Sequence, residues 1–255
     1  MTGRTVDKWK RVYVDGYDLS GDARSIGPLI YTFDEADLTG FSHAVKGALP
    51  GHAMTGIGTL NATFNDTASV GIHAIASGAG VMRTVMVAQG MRAVPAAGDP
   101  VYMGEFEQMD YMVDPSTGVY VNANFNNSSA RASTFLYNNP WGALLHANSA
   151  ATAANSTTGA GIDTAGGATA FGGYLVYQVF AGDGTATISV DDSADDSSYS
   201  ALSGATSGEI DFSTPTAGRV ALGRTATVKQ YLRWQISLNT ATTVTFALGF
   251  SRALF

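Results

Sequence analysis

Residues 172–204, GGYLVYQVFAGDGTATISVDDSADDSSYSALSG, carry the clearest local signal in the chain. Positions 174–180 are rich in aromatic and β-branched side chains, which suit a pleated, half-buried strand. Gly182, Asp183 and Gly184 form a turn that tolerates positive φ, and positions 185–190 alternate on a two-residue period. The stretch is expected to be a β-hairpin with a tail, the acidic DDSADD running into a turn of helix over 197–202.

Working outward, other segments read the same way. VYVDGYDLSG sets Val12, Tyr13, Val14 and Tyr17 around an Asp-Gly turn, a short hairpin signal. Strands are expected over 30–33, 57–64, in VMRTVMVAQ before Pro95, in DPVYMGEFEQMDYMVD and in VYVNANFNN. A short helix is expected behind an Asn65–Asp66–Thr67 cap, containing Val70, His73 and Ile75. Residues 34–52, with three carboxylates, three glycines and a proline, read as a long connection, which in a compact domain points to an interface loop. Residues 147–173 are an Ala/Ser/Thr/Gly tract too poor in large apolar side chains to build a core, and read as a linker or long surface loop.

The organisation expected is therefore all-β: an arm over 1–11, a first β lobe over 12–137, a connecting segment over 138–173 and a second lobe over 174–255. Two segment pairs align loosely between the lobes, 56–78 with 172–204 and 102–130 with 229–253, as an internal duplication would.

Composition bounds the function. The 255 residues suffice for one large β domain or two smaller ones. Charged residues make up 14 %, against an average of roughly 25 %, with 30 glycines. Such a surface is either covered in Ser, Thr and Asn or buried against other copies. A net charge of −7 argues against gripping phosphate backbones through many basic contacts. There are no cysteines, hence no disulfides and no thiolate chemistry. The opening MTGRTVDKWKR has no apolar core of a signal peptide, so the chain is expected to be made in the cytosol.

Candidate chemistry is sparse. Asp191, Asp192, Asp195 and Asp196 invite a calcium reading, but an EF-hand loop starting at Asp191 needs glycine at Asp196 and glutamate at Leu202. They read as a solvated loop instead. His43, His52, His73 and His146 lack the spacing that puts two imidazoles on one helical face. Asp34, Glu35 and Asp37 read as a solvated acidic loop before a glycosidase pair. The glycine runs have no strand-to-helix context and no Walker lysine. Tyr174, Tyr177, Tyr199, Tyr231 and Trp234 fit core and cross-strand pairs better than a sugar platform. No catalytic, cofactor-binding or metal-binding residue is assigned, and no cofactor is expected.

VYVDGYDLSGDARSIGPL, the 172–202 unit and the closing VKQYLRWQISLNTATTVTFALGFSR together resemble the tail tube and major tail proteins of long-tailed bacteriophages. The islands are the DGYDLSG hairpin, GG-aromatic-Leu at 172–175, Ser-Ala-Asp at 193–195, Tyr-Leu-Arg at 231–233 and Phe-Ser-Arg at 250–252. They are structural hairpins, not catalytic signatures. The resemblance implies sandwich or barrel domains assembled into stacked rings, hexameric, or trimeric with pseudo-sixfold symmetry where two tube domains are fused. It implies a tail protein of the virion, assembled in the host cytoplasm, whose partners are other copies, the tape measure and the tail terminator. DNA would pass through without tight binding, and no membrane is involved. A wall facing the tube axis is expected to be acidic or neutral, and Glu105, Glu107 and Asp110, spaced along strand-like segments, either lie on it or solvate the outer wall. Residues 34–52 and the arm over 1–11 would reach neighbouring subunits. The competing expectation is a capsid decoration or minor tail protein that uses the same sandwich to bind carbohydrate.

Overall fold

The computed structural model describes residues 6–39, 47–91, 93–115, 120–127, 139–152 and 158–253. Strands take 64 % of the described residues and helix 4 %, in the order β1 Lys10–Val14, β2 Tyr17–Asp18, β3 Ala23–Asp37, β4 Ala48–Thr63, α1 Ile72–Ala76, β5 Val81–Gln89, β6 Pro100–Asp114, β7 Tyr120–Asn127, β8 Trp141–Thr152, β9 Ile162–Asp163, β10 Gly173–Gly182, β11 Thr185–Ser193, β12 Ser200–Asp211, β13 Thr216–Ala221, β14 Tyr231–Leu238 and β15 Thr243–Arg252. The all-β expectation holds. The Asp-Gly turn holds too: Tyr13 faces Asp18 and Val14 faces Tyr17 across Asp15–Gly16, both at positive φ, the two-residue turn whose twist matches paired strands.

An eleven-stranded sheet contains the path β13-β10-β15-β8-β6-β5-β1-β2. One edge of β6 pairs with β5, and the other is divided between β8 at residues 100–102 and β7 at 106–114, so β7, β4 and β3 branch off as a separate layer. The path folds over, so that β1-β5-β6 faces β8-β15-β10. Between them lie Tyr13, Met86, Ala88, Val101, Met103, Leu144, Tyr174, Val176 and Ala247. A four-stranded sheet, β12-β11-β14-β9, covers the outer side of β8-β15-β10, burying Ile188, Val190, Leu232, Trp234 and Ile236 against Leu145, Leu175, Val179, Phe246 and Phe250. On the opposite side, the β3-β4-β7 layer and α1 cover β1-β5-β6 through Ile57, Leu60, Ile72, Val121 and Phe125 on Val12, Val85, Val87, Tyr102 and Phe106. Four layers thus enclose three cores. The alternation of β5 and β10 sends successive side chains to different cores, which is why both strands are apolar on both faces.

The ends of the folded sheet are latched by Gln178, buried on β10. Its Oε1 accepts the Gly16 N–H at 2.7 Å and its Nε2 donates to the Thr84 carbonyl at 2.9 Å. The rings of Tyr13 and Phe180 pack edge to face across the same closure.

The expected 174–190 hairpin is corrected. Both strands exist, but β10 pairs with β13 and β15 while β11 pairs with β12 and β14. The 182–184 turn carries the chain from one sheet to the other. Asp183 accepts the Thr242 and Thr243 amides, locking this crossing to the parallel one between β14 and β15. Phe212, on the third crossing at this end, is fully buried. A turn that permits positive φ serves a hairpin or a crossing equally; burial of both faces of β10 selects the crossing.

Other expectations are also revised. Residues 197–202 hold no helix: Asp195 Oδ1 accepts the Ser197 and Ser198 amides in a tight turn, and β12 begins at Ser200. The helix near Asn65 starts only at Ile72, with Gly71 as its N-cap and no side-chain cap, because Asn65 Oδ1 is spent on the Thr67 amide. Within 138–173, residues 141–152 form β8, hydrogen-bonded to β6 and β15 in the middle of the larger sheet. The segments aligned as a duplication pair differently, since β6 and β7 are neighbours whereas β14 and β15 lie in different sheets.

Candidate assembly surfaces

β3 and β4 pair from Ala23–Ala62 to Asp37–Ala48, so 34–37 and 48–52 are strands, not the expected connection. Residues 40–46 lie outside the described residues. Among the described residues, β7 pairs with β4 from Gly56 to Thr63. Beyond Gly56, β3 and β4 continue as a paired ribbon. Tyr102 marks its root: the hydroxyl accepts the Gly56 N–H at 3.0 Å and lies 2.6 Å from the Ile30 carbonyl and 2.7 Å from that of Gly56, the facing pair at which the ribbon leaves the body.

The ribbon is unusual for a surface element. Phe33, Leu38, Leu49 and Met54 are exposed, Leu49 at 55 % and Met54 at 50 %, and Phe33, Ala48, Leu49 and Pro50 border a shallow groove with Asp34 and Glu35. A two-stranded ribbon is marginal in water without a covered apolar face. A 15-residue edge strand such as β3 also offers its unpaired backbone groups to another chain. Asp34, Glu35 and Asp37 make the outer part acidic, and residues 29–38 and 47–56 contain no Lys or Arg.

At the base of β3 the charge reverses. Lys8, Lys10, Arg11 and Arg24, with Ser20 and Ser25, line a concavity of about 160 Å³. Arg11 donates to the Lys8 and Lys10 carbonyls, and Arg24 to Thr63 Oγ1. Nearby, Asp18 accepts from Ser20 and Asn148, and Asp22 from Asn65 and the Ile72 amide.

A larger cleft, about 610 Å³, lies between the start of β8 and residues 163–171, with Trp141, Phe250, Asn139 and Asp163 on its walls and an exposed Phe171 at its edge. Arg252 lines it as well. Its guanidinium donates to Thr164 Oγ1, Thr169 Oγ1 and the carbonyls of Val228, Lys229 and Gln230, which uses all five N–H groups. Burial lowers its pKa to about 10, with Asp192 and Asp163 opposing. Arg252 is a clamp on the 228–230 backbone, not an anion receptor.

The remaining sequence candidates are dispersed. Asp191 pairs with Arg233 at 3.0 Å and Asp192 with Lys229 at 3.0 Å, Asp195 closes its turn with its pKa held down by the Ser198 amide, then Ser193 and the Ser197 amide, and Asp196 accepts the Tyr199 hydroxyl. Each carboxylate has its own partner, and no common cation cage forms from the four. His73 Nδ1 meets the Tyr111 hydroxyl at 2.8 Å, His146 lies in the core, His52 belongs to β4 and His43 lies outside the described residues. Tyr174 is buried between β6 and β10, Trp234 faces the opposite core, and Tyr199 carries the Arg233 guanidinium on its ring. Glu105 is half buried against Arg219, its pKa raised by burial against the lowering effect of that arginine, while Asp110 binds the Asn124 amides.

No protein-family model matches the chain, and no curated protein matches it. Among solved structures, the Dit protein of SPP1, described as a paradigm of the hub adsorption apparatus in phages infecting Gram-positive bacteria, aligns over 95 % of this chain and 98 % of its own, at 10 % identity and a TM-score of 0.32. A structure of the infectious bursal disease virus Gx strain aligns over 98 % of this chain and 69 % of that one, at 11 % identity and a TM-score of 0.24. At such scores neither likeness assigns a function.

Proposed function

We propose that the chain is a structural virion protein without catalytic activity, a subunit that polymerises into the phage tail tube through which DNA passes. The observation that carries this reading is the β3–β4 ribbon, which runs past the described part of β7 with Leu49 and Met54 exposed and, among the described residues, with no strand paired to the outer edge of β3. Contact with a neighbouring copy covers both, and closure of such contacts into a ring removes the exposed edges that invite aggregation. The sequence islands that resemble those of tail tube proteins support the reading in kind, because their residues hold the scaffold: Gly16 at the latch, Arg233 on Asp191, Arg252 on the 228–230 backbone. Tape measure and terminator proteins are the further partners on this reading.

Deleting residues 34–52 is expected to abolish polymers seen by negative-stain microscopy while circular dichroism and thermal unfolding of the body stay close to wild type. Unchanged polymers from the deletion would remove the ribbon from this role. A conduit must also release a polyanion, so the polymer is expected to bind DNA weakly even at low salt, where electrostatic attraction is least screened. Micromolar binding that weakens steeply with added salt would contradict it.

The cleft beside Phe171 favours a second reading, a carbohydrate-binding decoration or minor tail protein, because it sets exposed and half-buried aromatic rings beside Asp163 and Asn139. Glycan-array binding by isolated particles that form no polymer would select it.

A further inference from the structure

We infer that the basic concavity at the base of β3 receives the acidic outer part of the β3–β4 ribbon of a second copy, an inference that rests on the tube-subunit reading and names its contact. The two surfaces are complementary in charge: Lys8, Lys10, Arg11 and Arg24 on one side, Asp34, Glu35 and Asp37 on the other. A volume of about 160 Å³ has the room of roughly five water molecules, which suits carboxylate side chains.

The contact is between copies because of where the ribbon is rooted. Arg24, Ser25 and Ile26 line the concavity, and the acidic residues lie about ten positions further along the same strand, roughly 30 Å away at the rise of a β-strand. A paired ribbon cannot fold back on its own base without breaking its ladder. Donor and acceptor therefore occupy opposite ends of one element. Such a head-to-tail contact repeats from copy to copy and closes into a ring or continues as a stack.

The test uses the full chain and three charge variants: K8E/R11E, D34K/E35K/D37K, and both sets combined. Each single set is expected to raise the concentration needed for assembly by about tenfold or more in sedimentation velocity, the combined chain to return to near the wild-type value, and wild-type assembly to weaken as salt rises, as a steering and pairing contact between opposite charges requires. An equimolar mixture of the two single sets is expected to assemble where neither does alone. Far-ultraviolet circular dichroism verifies folding, and the wild-type salt series needs no variant at all. If wild-type polymers form but ignore salt and both charge reversals, or if the combined chain and the mixture stay dispersed, the contact is overturned while the tube reading stands. If wild-type protein stays monomeric at every concentration and salt, the tube reading falls and this contact with it.

Discussion

Gly16→Ala is expected to cost about 4 kcal/mol of folding stability, a large part of the 5–15 kcal/mol that an ordinary domain possesses. Three terms act together at this position. Gly16 has φ +85, where a Cβ costs roughly 1–2 kcal/mol. That Cβ would come inside van der Waals contact of the Thr216 amide nitrogen and within 2.6 Å of the Val179 carbonyl, backbone atoms of β13 and β10 that no rotamer change can move, and such overpacking costs a further 1–3 kcal/mol. Displacing the turn also breaks the buried bond from Gly16 N–H to Gln178, and an unmet buried amide is worth about 1–3 kcal/mol. These terms overlap, since one shift relieves the clash and breaks the bond, so they do not simply add. Gly21 is the control: its added Cβ would meet nothing within 4 Å, and Gly21→Ala should stay within about 0.5 kcal/mol of wild type. Urea unfolding of the two variants at one pH settles the matter. A Gly16→Ala protein within 1 kcal/mol of wild type would show that the sheet closure yields without cost.

Gln178 and Tyr102 were not legible in the sequence, and the reason is physical. Each sits within an alternating strand, where nothing local distinguishes a buried latch from an ordinary side chain, and its partners, Gly16 and Thr84 for one, Ile30 and Gly56 for the other, are distant along the chain. What was legible is what short range decides. Asp15–Gly16 enforces its own twist, and the periodicity of residues 174–180 and 185–190 marks strands whatever their partners. Pairing is a different question. Whether 182–184 turns back or crosses to the second sheet depends on burial of both faces of β10, which only the assembled layers provide.

The two segments read as loops failed for opposite reasons. The part of β8 read as linker, from Ala147 on, carries Ala147, Ala150 and Ala151, too small to signal a core, yet it lies beside β15, whose Val244, Phe246 and Leu248 fill the space. The ribbon, by contrast, is a strand pair that leaves Leu38, Leu49 and Met54 exposed. Its Asp, Gly and Pro content is that of a connection, and its pairing shows only once β3 and β4 are laid side by side. A sequence pattern reports burial, and the burial of this element belongs to the assembly on the function proposed above.

His146 is expected to make the fold sensitive to mild acid, by about 3 kcal/mol between pH 7 and pH 4 beyond what the carboxylates contribute. The imidazole lies on β8 within the core shared with the smaller sheet, stacked on Phe246 at 4.0 Å between ring centres and met edge-on by Trp234 at 4.4 Å. A carbonyl only accepts, so the Nδ1 facing the Phe246 carbonyl at 2.9 Å carries the proton of the neutral ring, and Nε2 meets only the Ser149 hydroxyl at 3.3 Å. Burial lowers the pKa from 6.5 to about 4, against a smaller raising effect of the Phe246 bond. Because the folded pKa lies below the unfolded one, the unfolded chain binds the extra proton first. Stability is therefore unaffected above pH 6.5 and falls as pH drops toward 4, by about 1.4 kcal/mol for each pH unit crossed. His146→Gln keeps a hydrogen-bond donor and removes the titration, so it is expected to lose some stability at pH 7 through poorer packing yet to fall less steeply in acid. Urea unfolding of both proteins at pH 7, 5.5 and 4 reads the difference directly. Parallel losses in the two proteins would mean that the imidazole finds water when protonated, and that the core between β8 and β14 opens more readily than its packing implies.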